Sequence, residues 1–172
     1  MRARIVIYVL TFIALAGCGK IGPQLPHRIG ESPEADSAEL ALLELNQQMA
    51  IAAEKQLLQY VQAQDEPYAV YEVDTWMHII DRGDENAPTP QPNEEWTIAM
   101  RTYNMDGQLL VDSEGTYRIR KQELPIAVDI NIKELHRGGK ARLVVPWYAA
   151  YGMKGTEDIP PYENLIIDIE LK

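Results

Sequence analysis

Residues 145–171 read VPWYAAYGMKGTEDIPPYENLIIDIEL, and this stretch decides the fold of the C-terminal half. Its last seven residues, Leu165–Leu171, are dominated by leucine and isoleucine, which predicts a β-strand. The glycines and prolines at 152–161 predict a loop before that strand. A second apolar run, Ala141–Val145, precedes the loop and predicts the neighbouring strand.

Further β-type runs lie upstream and end in turn-forming residues such as Met105-Asp106-Gly107. The predicted strands are Ala69–Val73, Trp76–Ile80, Glu95–Tyr103, Gln108–Asp112 and Thr116–Arg120. Residues Ile126–Leu135 predict one short helix. An antiparallel sheet with a short helix against it belongs to the α+β class. We therefore predict one α+β domain over residues 67–172.

An amphipathic helix is predicted over residues 36–66, ahead of this domain. Asp36 and Glu39 have the spacing of a capping box, and Pro67 ends the pattern. Apolar residues follow at three- or four-residue steps: Leu42, Leu45, Met49, Ala53, Leu57 and Tyr60. We expect this stripe to pack against the domain or against a second copy of itself, which would make a homodimer.

The N-terminus has the pattern of a bacterial lipoprotein precursor. Arg2 and Arg4 precede an apolar run that ends in Leu15-Ala16-Gly17-Cys18, which resembles a lipobox. We therefore expect residues 1–17 to be a signal peptide and Cys18 to carry lipid that anchors the protein to a membrane. Residues 18–35, rich in glycine and proline, are predicted to form a tether.

Composition excludes several classes of function. The formal net charge of −10 argues against nucleic-acid binding, which needs a clustered basic surface. With Cys18 as the one cysteine, the chain cannot form an internal disulfide or a cysteine-based metal site. The three histidines are far apart in sequence, and no phosphate-binding loop or nucleophile motif occurs. The sequence therefore implies no cofactor and no metal.

The motifs from residue 138 onward strongly resemble the FKBP family of peptidyl-prolyl isomerases. They are Gly138-Gly139-Lys140-Ala141-Arg142-Leu143, then Ala150-Tyr151-Gly152, Ile159-Pro160-Pro161 and a closing strand that ends in Glu170-Leu171. Asp106-Gly107 and Asp112-Ser113 are similar to the family's hairpin segment. The resemblance covers about Tyr68 to Lys172 and implies a sheet wrapped around a short helix. The order of lipobox, helix and FKBP-like domain also resembles that of the gliding-motility-associated FKBP-like lipoproteins of Bacteroidota.

The resemblance implies a substrate pocket built from specific residues. Tyr151 matches the tyrosine whose hydroxyl donates to a substrate carbonyl, and Ile159 matches the residue that offers a backbone N–H and a side-chain wall. Asp112 matches the pocket carboxylate, Val111 the aromatic residue before it, and Tyr117 the aromatic residue on the next strand.

Three matched positions lack the family's aromatic rings. Met100 stands for a tyrosine, Val128 for the tryptophan of the pocket floor, and Ile167 for a phenylalanine of the last strand. Replacing a tryptophan by valine should leave a wider and shallower floor. Either Trp147 or Trp76 would restore an aromatic floor to the pocket if its ring lay over Val128.

Two functions remain open at this point. The first is a peptidyl-prolyl cis-trans isomerase, facing the periplasm, that assists the folding of proline-containing envelope or secreted proteins. The alternative is a non-catalytic, chaperone-like or assembly lipoprotein that binds one dedicated partner through a degenerate pocket. Tyr151 and the Ile159-Pro160-Pro161 loop favour the enzyme, whereas Met100 and Val128 favour the binding module.

Overall fold

A computed structural model describes residues 33–172, with side chains from residue 37 onward. The chain divides into two compact units, residues 1–40 and residues 41–172. The predicted signal peptide, Cys18 and the tether up to residue 32 lie outside the described residues.

Helix α1 spans Pro33–Gln62. It begins before the predicted capping box, so Asp36 and Glu39 lie inside the helix; proline suits a first helical position because its missing N–H needs no partner there. The predicted stripe divides into two parts, since Ala53 and Leu57 are fully buried whereas Leu42 and Leu45 are about half exposed. Among the described residues, no helix is long and apolar enough to span a membrane.

Six antiparallel strands form one sheet in the order β1-β2-β5-β6-β3-β4. The strands are β1 (Ala69–Val70), β2 (Trp76–Asp81), β3 (Glu95–Asn104), β4 (Leu109–Arg118), β5 (Lys140–Val145) and β6 (Leu165–Leu171). A short helix, α2, spans Ile126–Asn131 and continues as a 3₁₀ turn over Ile132–Glu134. This antiparallel sheet with a short helix against it confirms the α+β prediction.

Side chains alternate between two faces of the sheet, as they must along β-strands. The inner face, which includes Met100, Leu143 and Ile167, packs with Val128 of α2 into one apolar core. The outer face carries Val144 and Ile166, which are buried but lie outside that core cluster.

Two strands differ from their predicted bounds by more than one residue, each for a local reason. The predicted strand Ala69–Val73 ends at Val70, because the next residues form a 3₁₀ turn whose Glu72 backbone is held by both ends of the buried Asn131 amide at 3.1 Å. The two runs Gln108–Asp112 and Thr116–Arg120 are one strand, β4. The strand continues through Gly115, where a side chain would crowd the Tyr117 ring.

Candidate functional site

Tyr151 lies at one end of the inner core, just after the 3₁₀ turn Trp147–Ala149. Its ring is half-buried against the core cluster. Its hydroxyl makes no hydrogen bond to any of the described residues. Burial raises the pKa of the Tyr151 phenol, and the neighbouring Tyr117 adds to the rise. Tyr151 therefore stays protonated at neutral pH and has a donor free for a ligand carbonyl.

Val111 and Tyr117, both on β4, lie on the same face as the core and are partly buried against it. Tyr117 lies near enough to Tyr151 to raise its pKa, and the Tyr117 ring folds over Gly115, where an added Cβ would lie 3.2 Å from the ring. Tyr151, Val111 and Tyr117 are thus each partly buried against the same core cluster. We call their exposed parts the Tyr151 surface, and this surface is available to a prolyl ring.

The other four matched positions on the apolar side of the sheet are closed to solvent. Val128 and Ile167 have no exposed surface, Ile159 is 2% exposed and Met100 is 6% exposed. All four belong to the core cluster. A ligand therefore meets a shallow surface, and it reaches the floor only if the covering side chains move.

Neither tryptophan restores the missing floor. Trp147 packs edge-on against Tyr148 and Tyr162, with ring centroids 5.4 and 4.8 Å apart, and lies outside the core cluster that contains Val128. Trp76 pairs with Val144 on the outer face. At Val128, where the resemblance implies a tryptophan, the pocket floor is therefore aliphatic, and no other indole replaces the missing ring.

The structure places Asp112 on the outer face, contrary to its expected place in the pocket. Its carboxylate lies 3.4 Å from the Arg101 guanidinium, and both side chains are more than half exposed. Because β4 is unbroken through Asp112, neighbouring residues must face opposite sides, and Val111 already faces the core. A pocket that contained both Val111 and Asp112 would need a bulge or turn that breaks this alternation.

The loop before β6 holds Ile159 by two hydrogen bonds to Thr156. The Ile159 N–H donates to Thr156 Oγ1 at 3.1 Å, and the Thr156 N–H donates to the Ile159 carbonyl at 2.8 Å. The N–H that the resemblance offers to a substrate is therefore engaged within the protein. Sequence reasoning missed Thr156, although a threonine three residues before a loop N–H is a known signal of side-chain capping.

No group of three or more histidine, cysteine, aspartate or glutamate side chains within residues 37–172 is placed to hold a metal ion. The site consists instead of two phenols, Tyr151 and Tyr117, on an apolar surface. Such a surface can bind and desolvate a polypeptide segment, and the two phenols are the groups of the predicted site that carry an O–H on this face of the sheet.

Comparison with known families gives a match over residues 87–172, half of the chain, to the family described as FKBP-type peptidyl-prolyl cis-trans isomerase. The FKBP-type peptidyl-prolyl cis-trans isomerase FkpA of Escherichia coli (strain K12) is 45% identical over 40 residues, which cover 23% of this chain and 15% of FkpA. FK506-binding protein 4 of Emericella nidulans is 36% identical over 81 residues, which cover 44% of this chain and 17% of that protein. The chain thus matches less than a fifth of each relative's length.

Solved structures share the fold. A peptidyl-prolyl cis-trans isomerase from Pseudomonas syringae pv. tomato has a TM-score of 0.60 at 24% identity, covering 71% of this chain and 90% of that chain. FkpA from Escherichia coli has a TM-score of 0.60 at 19% identity, covering 99% and 80% of the two chains. At these identities the likeness establishes the fold alone.

Proposed function

The chain belongs to the FKBP-type peptidyl-prolyl cis-trans isomerase family, and from that premise we propose that it binds proline-containing polypeptides at Tyr151 and accelerates their cis/trans isomerisation. The observation that carries the proposal is the Tyr151 hydroxyl, which sits on an apolar surface without a hydrogen-bond partner among the described residues. A donor in this setting suits a peptide carbonyl beside a prolyl ring.

The chemistry needs few groups. Rotation about a peptide bond has a barrier of about 18–20 kcal/mol because it breaks C–N resonance. The twisted amide is less polar than the planar amide, so a surface that removes water from it favours the transition state. Val111 and Tyr117 supply apolar surface, and the Tyr151 O–H donates to a flanking carbonyl to hold the segment in place. The proposed reaction requires no cofactor.

We place this activity at a bacterial membrane, facing the periplasm. The support is the Leu15-Ala16-Gly17-Cys18 sequence behind a basic N-terminus, which suits lipidation of Cys18. The clients would be envelope or secreted proteins whose folding is limited by slow prolyl isomerisation. The same order of lipobox, helix and FKBP domain supports kinship with the gliding-motility-associated lipoproteins of Bacteroidota.

A second copy of the chain is a further proposed partner. Leu42 and Leu45 continue the stripe that buries Ala53 and Leu57, and their side chains are 48% and 49% exposed. Pairing of two helices would cover these leucines. Sedimentation velocity of the full chain in detergent, with and without both leucines changed to serine, measures this association.

One alternative function has specific observations in its favour. Val128 and Ile167 are sealed, Asp112 faces the other side of the sheet, and the Ile159 N–H is already bonded to Thr156. A site with these features can hold a segment without twisting its amide. The alternative is therefore a non-catalytic binding module for one dedicated envelope partner.

Exchange of an Ala-Leu-Pro-Phe peptide, followed by NMR with the full chain in detergent, separates the two functions. We expect catalysed exchange above the uncatalysed rate, reduced about tenfold by Tyr151→Phe, since one lost hydrogen bond corresponds to about 1.4 kcal/mol. Tyr103→Phe, which removes a hydroxyl from the other side of the sheet, is the matched control and should leave the rate unchanged. Exchange at the uncatalysed rate with abundant protein would favour the binding module.

A further inference from the structure

A groove of about 260 Å³ lies between α1 and the first two strands, away from Tyr151. Its lining residues are Glu54, Leu57, Leu58, Val70, Asp74 and Trp76. All of them belong to the compact unit 41–172. The groove therefore combines four apolar side chains with two carboxylates.

The apolar part of the groove is open to solvent. Leu58 is 41% exposed and Val70 is 58% exposed, while Leu57 is fully buried at the bottom. Val70 belongs to the two-residue strand β1, which pairs with β2 and ends the sheet. Exposed apolar residues beside a sheet edge suit an extended polypeptide that adds its own side chains to the groove.

Neither carboxylate of the groove, Glu54 or Asp74, forms an ion pair with any residue from 37 to 172. The Tyr148 hydroxyl donates to Asp74 Oδ2 at 3.2 Å. Burial raises the pKa of Tyr148 to about 12, and Asp74 and then Glu54 add to the rise, as expected where negative charge is concentrated.

We propose that this groove is a second polypeptide-binding site, specific for an extended segment in which a lysine or arginine neighbours a bulky apolar residue. The apolar residue would lie against Leu58, Val70 and Trp76, and the cation would lie between Glu54 and Asp74. A carboxylate with an exposed apolar neighbour attracts a cation and repels an acidic segment, which gives the groove its selectivity. Recognition here does not require proline.

Proline-free peptides test the site separately from the isomerase activity. Fluorescein-labelled Gly-Lys-Leu-Lys-Ile-Gly is titrated with the full chain in detergent and followed by anisotropy, against the matched peptides Gly-Glu-Leu-Glu-Ile-Gly and Gly-Lys-Gly-Lys-Gly-Gly. We expect the first peptide to bind at least tenfold more tightly than either of the others. Its affinity should also fall as salt rises, because salt screens exposed charges.

Trp76 provides a second readout with unlabelled peptide. It is partly exposed in the groove, whereas Trp96 and Trp147 are only 5% and 6% exposed. Binding should therefore change the tryptophan emission in the wild-type chain. Trp76→Phe should remove most of that change.

Charge-removing variants give the direct test. Glu54→Gln and Asp74→Asn should each lower the affinity for the lysine peptide about two- to fivefold, and the double variant should lower it further. Asparagine suits position 74 because the backbone there is left-handed, with φ of 53°, and asparagine tolerates that region. Glu44→Gln, an exposed change on the same helix, should leave the affinity unchanged.

Four results of the peptide measurements, and a fifth on the oligomeric state, would overturn the proposal. The first four are equal binding of the acidic and basic peptides, no binding at about 1 mM peptide, an unchanged affinity in the double variant, and a loss of binding in Tyr151→Phe. The last result would place the peptide at the prolyl site instead. A dimer that Val70→Ser dissociates would make a second copy the occupant of the groove and would equally exclude the peptide.

Discussion

The two faces of the sheet are covered in different ways. On the inner face, strand residues such as Ile98, Leu143 and Ile167 pack with α2 and have no exposed surface. The outer face has α1 near one end, where Asn46 accepts a hydrogen bond from the Tyr162 hydroxyl at 3.2 Å and Gln56 accepts one from Asn164 at 2.7 Å. The middle of that face carries charged pairs, of which Arg142 and Asp168 form the tightest, through two hydrogen bonds.

This difference indicates that the inner core, made by the sheet and α2, stabilises the domain, whereas α1 adds little to its stability. Residues 41–62 of α1 contribute two fully buried apolar side chains, Ala53 and Leu57, whereas the inner core is continuous from β2 to β6. Burial of apolar surface is the main favourable term in folding. The sheet and α2 should therefore persist when the helix detaches, and the Tyr151 surface, which lies on the inner core, should persist with them.

The largest expected effect is on the inner face. Ile167→Ala removes a fully buried side chain, so we expect the free energy of unfolding in urea to fall by roughly 2–5 kcal/mol. Ile126→Ala on α2 is the control, because that side chain is 47% exposed and its loss should cost less than about 1 kcal/mol. A loss at Ile167 as small as that of the control would mean that the floor is loosely packed and opens to ligands.

A smaller and more local effect is expected on the outer face. Leu57→Ala should release α1 from the sheet, and faster hydrogen exchange and tryptic cleavage after Lys55 should report that release. We expect the loss in stability of the sheet itself to be less than for Ile167→Ala. Leu43→Ala, at a side chain that is 53% exposed, should change neither measurement.

One result would contradict the inference that α1 contributes less to stability than the inner core. If Leu57→Ala lowers the stability of the sheet as much as Ile167→Ala does, and helix and sheet lose protection together, the helix belongs to one cooperative unit with the core. The helix would then be required for the Tyr151 surface as well.

Much of the fold could be predicted because its signals are local. The run Leu165–Leu171 forms a strand with those bounds, and Ile126 begins the short helix as expected. The helical stripe of α1 was visible in the sequence, but its extent of burial was not, because coverage of Leu42 and Leu45 depends on what lies opposite them. Periodicity predicts a face, whereas only tertiary structure decides whether the face is covered.

Motif matching assigned candidate residues along the chain, but the direction of each side chain depends on the local backbone. Tyr151, Val111 and Tyr117 are each partly buried against the core cluster. Asp112 does not join them, since the unbroken strand β4 fixes alternate faces. Thr156 likewise engages the Ile159 N–H through a loop geometry that motif matching does not describe.

The smallest expected effect concerns Tyr148, which lies where the core meets α1. Burial, Asp74 and Glu54 raise its pKa to about 12, above the ordinary value of 10.0. The folded state therefore holds the phenol proton more tightly than the unfolded state does. The resulting stability is complete below pH 10 and is lost as the pH rises from 10 to about 12.

An ultraviolet titration of phenolate absorbance measures this rise directly. Tyr148 is followed in a Tyr68→Phe background, because burial also raises the pKa of Tyr68 to about 12. In that background Tyr148→Phe should remove the component that ionises near pH 12, and Leu57→Ala should shift it towards 10, because releasing the helix exposes the phenol and removes Glu54 from its surroundings. If the component near pH 12 remains in Tyr148→Phe at full height, this phenol is not protected by burial. If it remains in Leu57→Ala, the core rather than the helix provides that protection, and Tyr148 belongs with the inner face.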